Sequence, residues 1–140
     1  MSVADALVPL PIPDEESRPF WEGCKRRELR MQRCAACQRL RFTPRPLCPH
    51  CRSAESEWVR VSGRGTIYSR VVCHPPVLPA FADRVPYAVV LVELDEDPRL
   101  RLVGNVPDEP PEAVRIGQRV EVTFQDVSDE IALPQWRLAR

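Results

Sequence analysis

Four cysteines dominate the chemistry open to this chain: Cys34-x2-Cys37 and Cys48-x2-Cys51, with ten residues between the pairs. Each C-x2-C pair turns the backbone around one ion and aims both sulfurs at it. A short hairpin, here about Leu40 to Pro46, brings the second knuckle opposite the first. Four thiolates give closed tetrahedral coordination, the structural kind of zinc site, with no position left open for water. The spacing therefore predicts a structural Zn2+ on Cys34, Cys37, Cys48 and Cys51, replaceable by iron in a recombinant preparation. So short a segment has little core of its own, and the metal should carry its folding. Gln38 and Arg52 stand where such knuckles often have glycine, so strained turns are expected there. His50, inside the second knuckle, reads as an exposed side chain and not as a fifth ligand.

The remaining reactive groups form no catalytic set. Cys73 precedes His74, but neighbours on a strand point to opposite faces, which argues against a nucleophile–base dyad. Asp95, Glu96 and Asp97 look like a hairpin turn. With two histidines and one lysine, the chain is expected to hold no catalytic residues and not to be an enzyme on its own.

With 140 residues, 44% hydrophobic and 29% charged, the chain has the length of one domain plus a small appendage, and enough apolar material for a core. Six cysteines would also suit a secreted disulfide scaffold. However, the N-terminal stretch has no basic region, and Pro9, Pro11 and Pro13 interrupt any apolar one. No stretch approaches the roughly 18 apolar residues of a membrane span. A reducing cytoplasm is the expected setting, where paired cysteines favour metal over disulfide. Formal net charge is zero but uneven: residues 24–53 carry nine Lys or Arg against the single Glu28. That polarity suits RNA, DNA or a phosphorylated ligand such as coenzyme A, and does not choose among them.

The elements that must position these groups follow from periodicity. Three alternating prolines make residues 1–13 an extended arm. A helix is predicted over Arg18–Leu29, capped by Ser17, with Phe20, Trp21 and Cys24 on one side. Gly23 weakens it, so docking must hold it. Residues 57–72 read as strand broken by Gly63 and Gly65 into a bulge or bend. Residues 87–94, YAVVLVEL, are apolar on both faces and predict a strand covered on both sides. Residues 100–106, the alternating RVEVTF after Gly117, and a final PQWRL complete the strand set. Five or six short strands in about 85 residues fit a small closed barrel, with the OB-fold favoured over an SH3-like one. Between Val72 and Tyr87 runs a long loop with four prolines that carries Val77, Leu78 and Phe81. A stiffened apolar loop loses little entropy on binding, so it is a candidate partner contact. The competing reading folds Phe81 and Leu78 back as a lid on the barrel.

The order of FWEGCKRREL, CAACQRLRFTPRPLCPHC, WVRVSGRGTIYS and VPYAVVLVELDEDPRLRLVGNV resembles the zinc-ribbon/OB-fold proteins of acyl-CoA metabolism, first grouped as a domain of unknown function. The resemblance implies a mainly β chain. Residues 1–30 would be arm and helix, 31–56 a rubredoxin-like zinc ribbon, and 57–140 an OB-fold barrel. It further implies a non-catalytic scaffold subunit in a hetero-oligomer with a thiolase-like acyltransferase, synthase or aldolase, in some cases with an acyl-CoA hydratase. In some assemblies of the family the subunit bridges enzymes and helps enclose the CoA pantetheine, so a CoA thioester shared with the partner is implied. The family's four cysteines map onto Cys34, Cys37, Cys48 and Cys51, and no CoA motif maps onto any residue. Phe20 and Trp21, with Val77, Leu78 and Phe81, are the candidate partner contacts. The alternative is a module for single-stranded nucleic acid. It is disfavoured because residues 54–140 carry ten basic against fourteen acidic side chains, and the few aromatics are needed for core.

Overall fold

The computed structural model describes residues 8–140. The first half of the predicted arm therefore lies outside the described residues, and residues 8–13 form no regular element. Helix α1 spans Arg18–Lys25, and β1 (Arg30–Cys34), β2 (Leu40–Arg41) and β3 (Ser56–Arg60) follow. These three strands make an antiparallel sheet in the order β2-β1-β3. Strands β4 (Arg64–Cys73), β5 (Tyr87–Leu94), β6 (Asp97–Asn105), β7 (Arg119–Asp126) and β8 (Ala132–Leu138) form a second sheet in the order β6-β5-β4-β7-β8. That sheet curls into an OB-fold barrel whose edges β6 and β8 meet through a side chain. Gln135 Oε1 accepts the Asn105 N–H at 2.6 Å.

The helix is shorter than the sequence predicts, and its end explains why. Glu28 N–H donates to the Gly23 carbonyl at 2.8 Å, Arg27 N–H donates to that of Cys24 at 3.0 Å, and Arg27 has φ +64°. This is the left-handed helix stop usually built on glycine. Arg27 takes that place because its guanidinium is held by Asp126 through two bonds of 2.9 and 2.7 Å. A Cβ on Gly23 would meet the Glu28 carbonyl oxygen at 2.9 Å, so the same turn needs the glycine. Ser17 is the N-cap by position, but its side chain faces away from the helix, accepting the Asp14 N–H at 3.0 Å while Asp14 Oδ1 accepts its own N–H at 2.7 Å.

Of two further expectations, the break at Gly63 is present as a bend and the coverage of β5 is corrected. Gly63 (φ +75°) sits in a break between β3 and β4, where Val122 fills the space of a Cβ. The bulge itself lies at Tyr68, between Ile67 and Ser69. Strand β5 is not covered on both faces. Ala88, Val90, Val92 and Leu94 are buried, and each Val or Leu contributes about 1.5–3 kcal/mol by leaving water. Tyr87, Val89 and Leu91 on the other face are only half-buried. Beside them Val71 (59%), Val103 (58%) and Tyr68 (47%) are exposed, so this sheet presents an apolar outer face to solvent.

Candidate functional site

The two knuckles of the ribbon are built alike. In the first, Cys34 N–H donates to Arg39 O at 3.0 Å and Gln38 N–H to Cys34 O at 2.9 Å. In the second, Cys48 N–H donates to Ser53 O and Arg52 N–H to Cys48 O, both at 2.9 Å. Gln38 (φ +66°) and Arg52 (φ +65°) occupy the left-handed region that the sequence flagged. Gln38 offsets part of that strain by donating Nε2 to Ala35 O at 2.9 Å.

The four sulfurs lie within 4.8 Å of one another, with Cys34 to Cys51 at 3.5 Å and Cys37 to Cys48 at 3.7 Å. A tetrahedral zinc with bonds of about 2.3 Å needs sulfur separations of about 3.8 Å. The donor set fits zinc. Backbone N–H groups favour thiolate on part of it: that of Cys51, ahead of that of His50, brings Cys48 down to about 6, and that of Cys37 lowers Cys34. Ser53 N–H pulls Cys51 the same way, but the Cys34 thiol, then burial, then the other two thiols outweigh it and push Cys51 up to about 11. Like charges cannot gather on four sulfurs without a cation among them. His50 is exposed, its Nδ1 2.6 Å from an Arg39 guanidinium nitrogen.

Within the ribbon lies a buried cation. Arg41, 6% exposed, has no carboxylate within ion-pair distance among the described residues. Gln32 Oε1 accepts its Nε at 2.7 Å and the Arg45 N–H at 2.8 Å, and Arg45 O accepts Arg41 Nη2 at 3.0 Å. Gln32→Leu removes the acceptor and leaves the charge buried. It should cost about 2–4 kcal/mol in a urea unfolding titration, with the slope unchanged.

A cavity of about 670 Å³ forms an apolar cleft between α1, the ribbon, the loop after β4 and the barrel edge β6–β8. Phe20, Trp21, Phe42, Phe81 and Tyr87 supply its aromatic walls, and Arg84 with the amides Asn105, Gln125 and Gln135 its polar groups. Phe20 meets Trp21 edge-on with ring centres 5.0 Å apart and lies tilted 5.1 Å from Phe42, which ties helix to ribbon. Phe81 lies 6.3 Å from Tyr87, with the Arg84 guanidinium 5.6 Å from the Phe81 ring centre.

The structure thus brings together Phe20, Trp21 and Phe81 among the predicted contacts. Phe20 is 4% exposed and belongs equally to the core. Val77 and Leu78 do not line the cleft, and Leu78 is 58% exposed. Sequence reasoning missed Phe42, Tyr87 and the three amides, since no shared period links residues drawn from five segments. Cys73 stands opposite Tyr87 on the β4–β5 ladder, and burial first, then Cys73, raises the pKa of that tyrosine. Cys24 is wholly buried in the core, which pushes its thiol up to about 12. No helix among the described residues is long and apolar enough to cross a membrane.

Comparison with known proteins agrees with this architecture. A family described as the ChsH2 rubredoxin-like zinc ribbon domain matches residues 21–57, and the ChsH2 C-terminal OB-fold domain matches 58–125. A DUF35 domain-containing scaffold protein of Methanocaldococcus jannaschii is 36% identical over 100 residues, 70% of this chain and 68% of that one. A probable enoyl-CoA hydratase alpha subunit of Thermomonospora curvata is 42% identical over 136 residues, 96% of this chain. The chain spans 41% of that relative's length. A solved structure of an Ltp2-ChsH2(DUF35) aldolase superposes with a TM-score of 0.85 at 40% identity, covering 94% of this chain and 100% of that one. With ribbon and barrel matched in this order, the chain belongs to the DUF35 family, with zinc ribbon and OB-fold of the ChsH2 type.

Proposed function

We propose that this chain is a non-catalytic accessory subunit of a thiolase-superfamily enzyme that acts on acyl-CoA, working in the cytoplasm as part of a hetero-oligomer. The observation that carries the reading is the apolar outer face of β4–β6, which runs through Val89 and Val103 into the aromatic cleft. Exposed contiguous apolar surface of this kind marks an interaction site. Relatives named as scaffold proteins, and a neighbour named as an aldolase complex, support an aldolase or other thiolase-like partner. The hydratase-named relative suggests a hydratase as a further member of the assembly. In this reading the cleft forms one wall of the space that encloses the CoA thioester, its aromatics covering the acyl or pantetheine chain and its amides meeting amide groups. The zinc holds the ribbon and takes no part in the reaction. Single-stranded nucleic acid is the weaker reading. Trp136 and Phe20 are buried, and Tyr68 on the outer face already carries Arg101 stacked 3.9 Å from its ring centre.

The test is co-purification with the purified thiolase-fold partner. Val71→Asp combined with Val103→Asp places two charges on the exposed face and should weaken the complex at least about tenfold, since buried unpaired charge is costly. Its melting temperature should stay close to the parent's, because both side chains are already in water. Undiminished binding by that variant, or acyl-CoA turnover by this chain alone, refutes the reading.

A further inference from the structure

On another side of the molecule, four arginines from four segments converge on a groove of about 400 Å³. Arg27 follows the helix, Arg60 ends β3, Arg64 begins β4 and Arg137 lies in β8. Ladder register sets two of them: Arg64 lies opposite Glu121 and Glu121 opposite Arg137, which puts all three on one face of the sheet. Glu121 is the lone acidic residue in the lining, and it reaches Arg137 only at 3.2 and 3.4 Å. Among the described residues Arg60 comes no nearer a carboxylate than 3.8 Å, to Glu28, whose 2.8 Å contact is with Arg30. Arg64 has no carboxylate within ion-pair distance among the described residues. Only Arg27 is fully paired, with Asp126.

Part of the floor of this groove is bare backbone. Gly63 carries no side chain and could carry none, since Val122 occupies the space. The β4–β7 ladder ends at Arg64–Glu121, one further bond running from Val122 N–H to Gly63 O at 2.7 Å. Beyond it the half-buried ring of Phe124 forms another part of the lining.

Like charges gathered in a groove repel one another, and an anion that enters relieves the repulsion. A guanidinium fork matches phosphate oxygens two at a time, and several forks together favour a ligand with more than one phosphate. A flat ring beside them offers a face for a base. We propose that this groove binds a multiply phosphorylated nucleotide, its phosphates between Arg60, Arg64 and Arg137 and its base against Phe124. The site is separate from the aromatic cleft and does not depend on the partner reading.

The test is calorimetry on the full zinc-loaded chain at low ionic strength, with inorganic pyrophosphate and adenosine 3′,5′-bisphosphate as probes. Both should bind, the nucleotide more tightly. Arg60→Glu with Arg64→Glu should weaken both at least about tenfold, and Phe124→Leu should weaken the nucleotide alone by about threefold to tenfold. Should the double reversal lower the melting temperature, Arg60→Ser with Arg64→Ser gives the same comparison without added repulsion. Arg99→Glu with Arg115→Glu makes the same change in net charge elsewhere and should leave affinity within about twofold. Equal affinity for the two probes, indifferent to Phe124→Leu, would keep the phosphate site and overturn the base contact. The proposal as a whole fails if neither probe binds at millimolar concentration, or if the control weakens binding as much. It fails also if a polyglutamate peptide binds more tightly than pyrophosphate, which would assign the groove to an acidic protein segment.

Discussion

Replacing Cys48 by serine, or stripping the metal with a strong chelator, is expected to unfold the ribbon while the barrel strands persist. Three strands of five, two and five residues enclose little apolar area of their own. Met31 is buried, but Leu40, Phe42 and Trp58 are only partly buried against the common core. Zinc binding to segments of this size supplies about 10–16 kcal/mol at neutral pH, more than such a core provides. Nine basic side chains in residues 24–53 add mutual repulsion that the charge of four thiolates around one Zn2+, about −2, partly offsets. Metal analysis should give one zinc per chain. Chelation should broaden or lose the amide resonances of β1–β3 and leave those of β5–β7 dispersed. Because Phe42 lies against Phe20, the cleft should lose its ribbon wall in the same step, and partner binding with it. A reduced chain that keeps its ribbon folded with no metal would refute this account.

The same contrast explains what could be read in the sequence. The metal centre was legible because its ligands are set by local spacing: two knuckles, each closed within six residues by backbone bonds. Even the strained positions Gln38 and Arg52 could be placed, since each knuckle needs one left-handed residue. Strand β5 was legible as a strand but not in its coverage, because YAVVLVEL reads alike whether its second face meets another layer or water. The helix end was not legible. Arg27 becomes the left-handed stop through Asp126, 99 residues away, and no local rule favours arginine there. The cleft was half-legible. Phe20, Trp21 and Phe81 stood out as aromatics without an obvious place, whereas Phe42, Tyr87 and Gln135 looked like ordinary strand residues. The arginine groove was invisible, because Arg64 and Arg137 are ordinary surface residues until strand register sets them across from Glu121, and Arg60 reaches the same groove from the other sheet.

Trp136→Ala is expected to lower stability by about 3–5 kcal/mol, the cost of emptying a large aromatic site. Trp136 is wholly buried on β8, and it makes the closure of the barrel possible by lying against Gly104 of β6. A Cβ at Gly104 would meet the indole at 2.8 and 2.9 Å and Gln135 Oε1 at 3.2 Å. Neither group has room to retreat, since Trp136 is enclosed and Gln135 Oε1 already accepts the Asn105 N–H. Gly104→Val should therefore cost about 1–3 kcal/mol by overpacking and should also part the β6–β8 edge. Gly104 and Gln135 line the cleft, so that variant should bind the partner less well even where it remains folded. Trp136→Phe separates size from polarity. The indole Nε1–H is buried without a hydrogen-bond partner among the described residues, a state that costs about 1–3 kcal/mol relative to a satisfied donor. Phenylalanine removes that donor and keeps most of the ring, so its loss should be well below that of alanine, at about 1 kcal/mol. If phenylalanine and alanine were equally damaging in chemical denaturation, the unpaired N–H would have to be making a contact that closes the barrel, and packing against Gly104 would not be what joins β6 to β8.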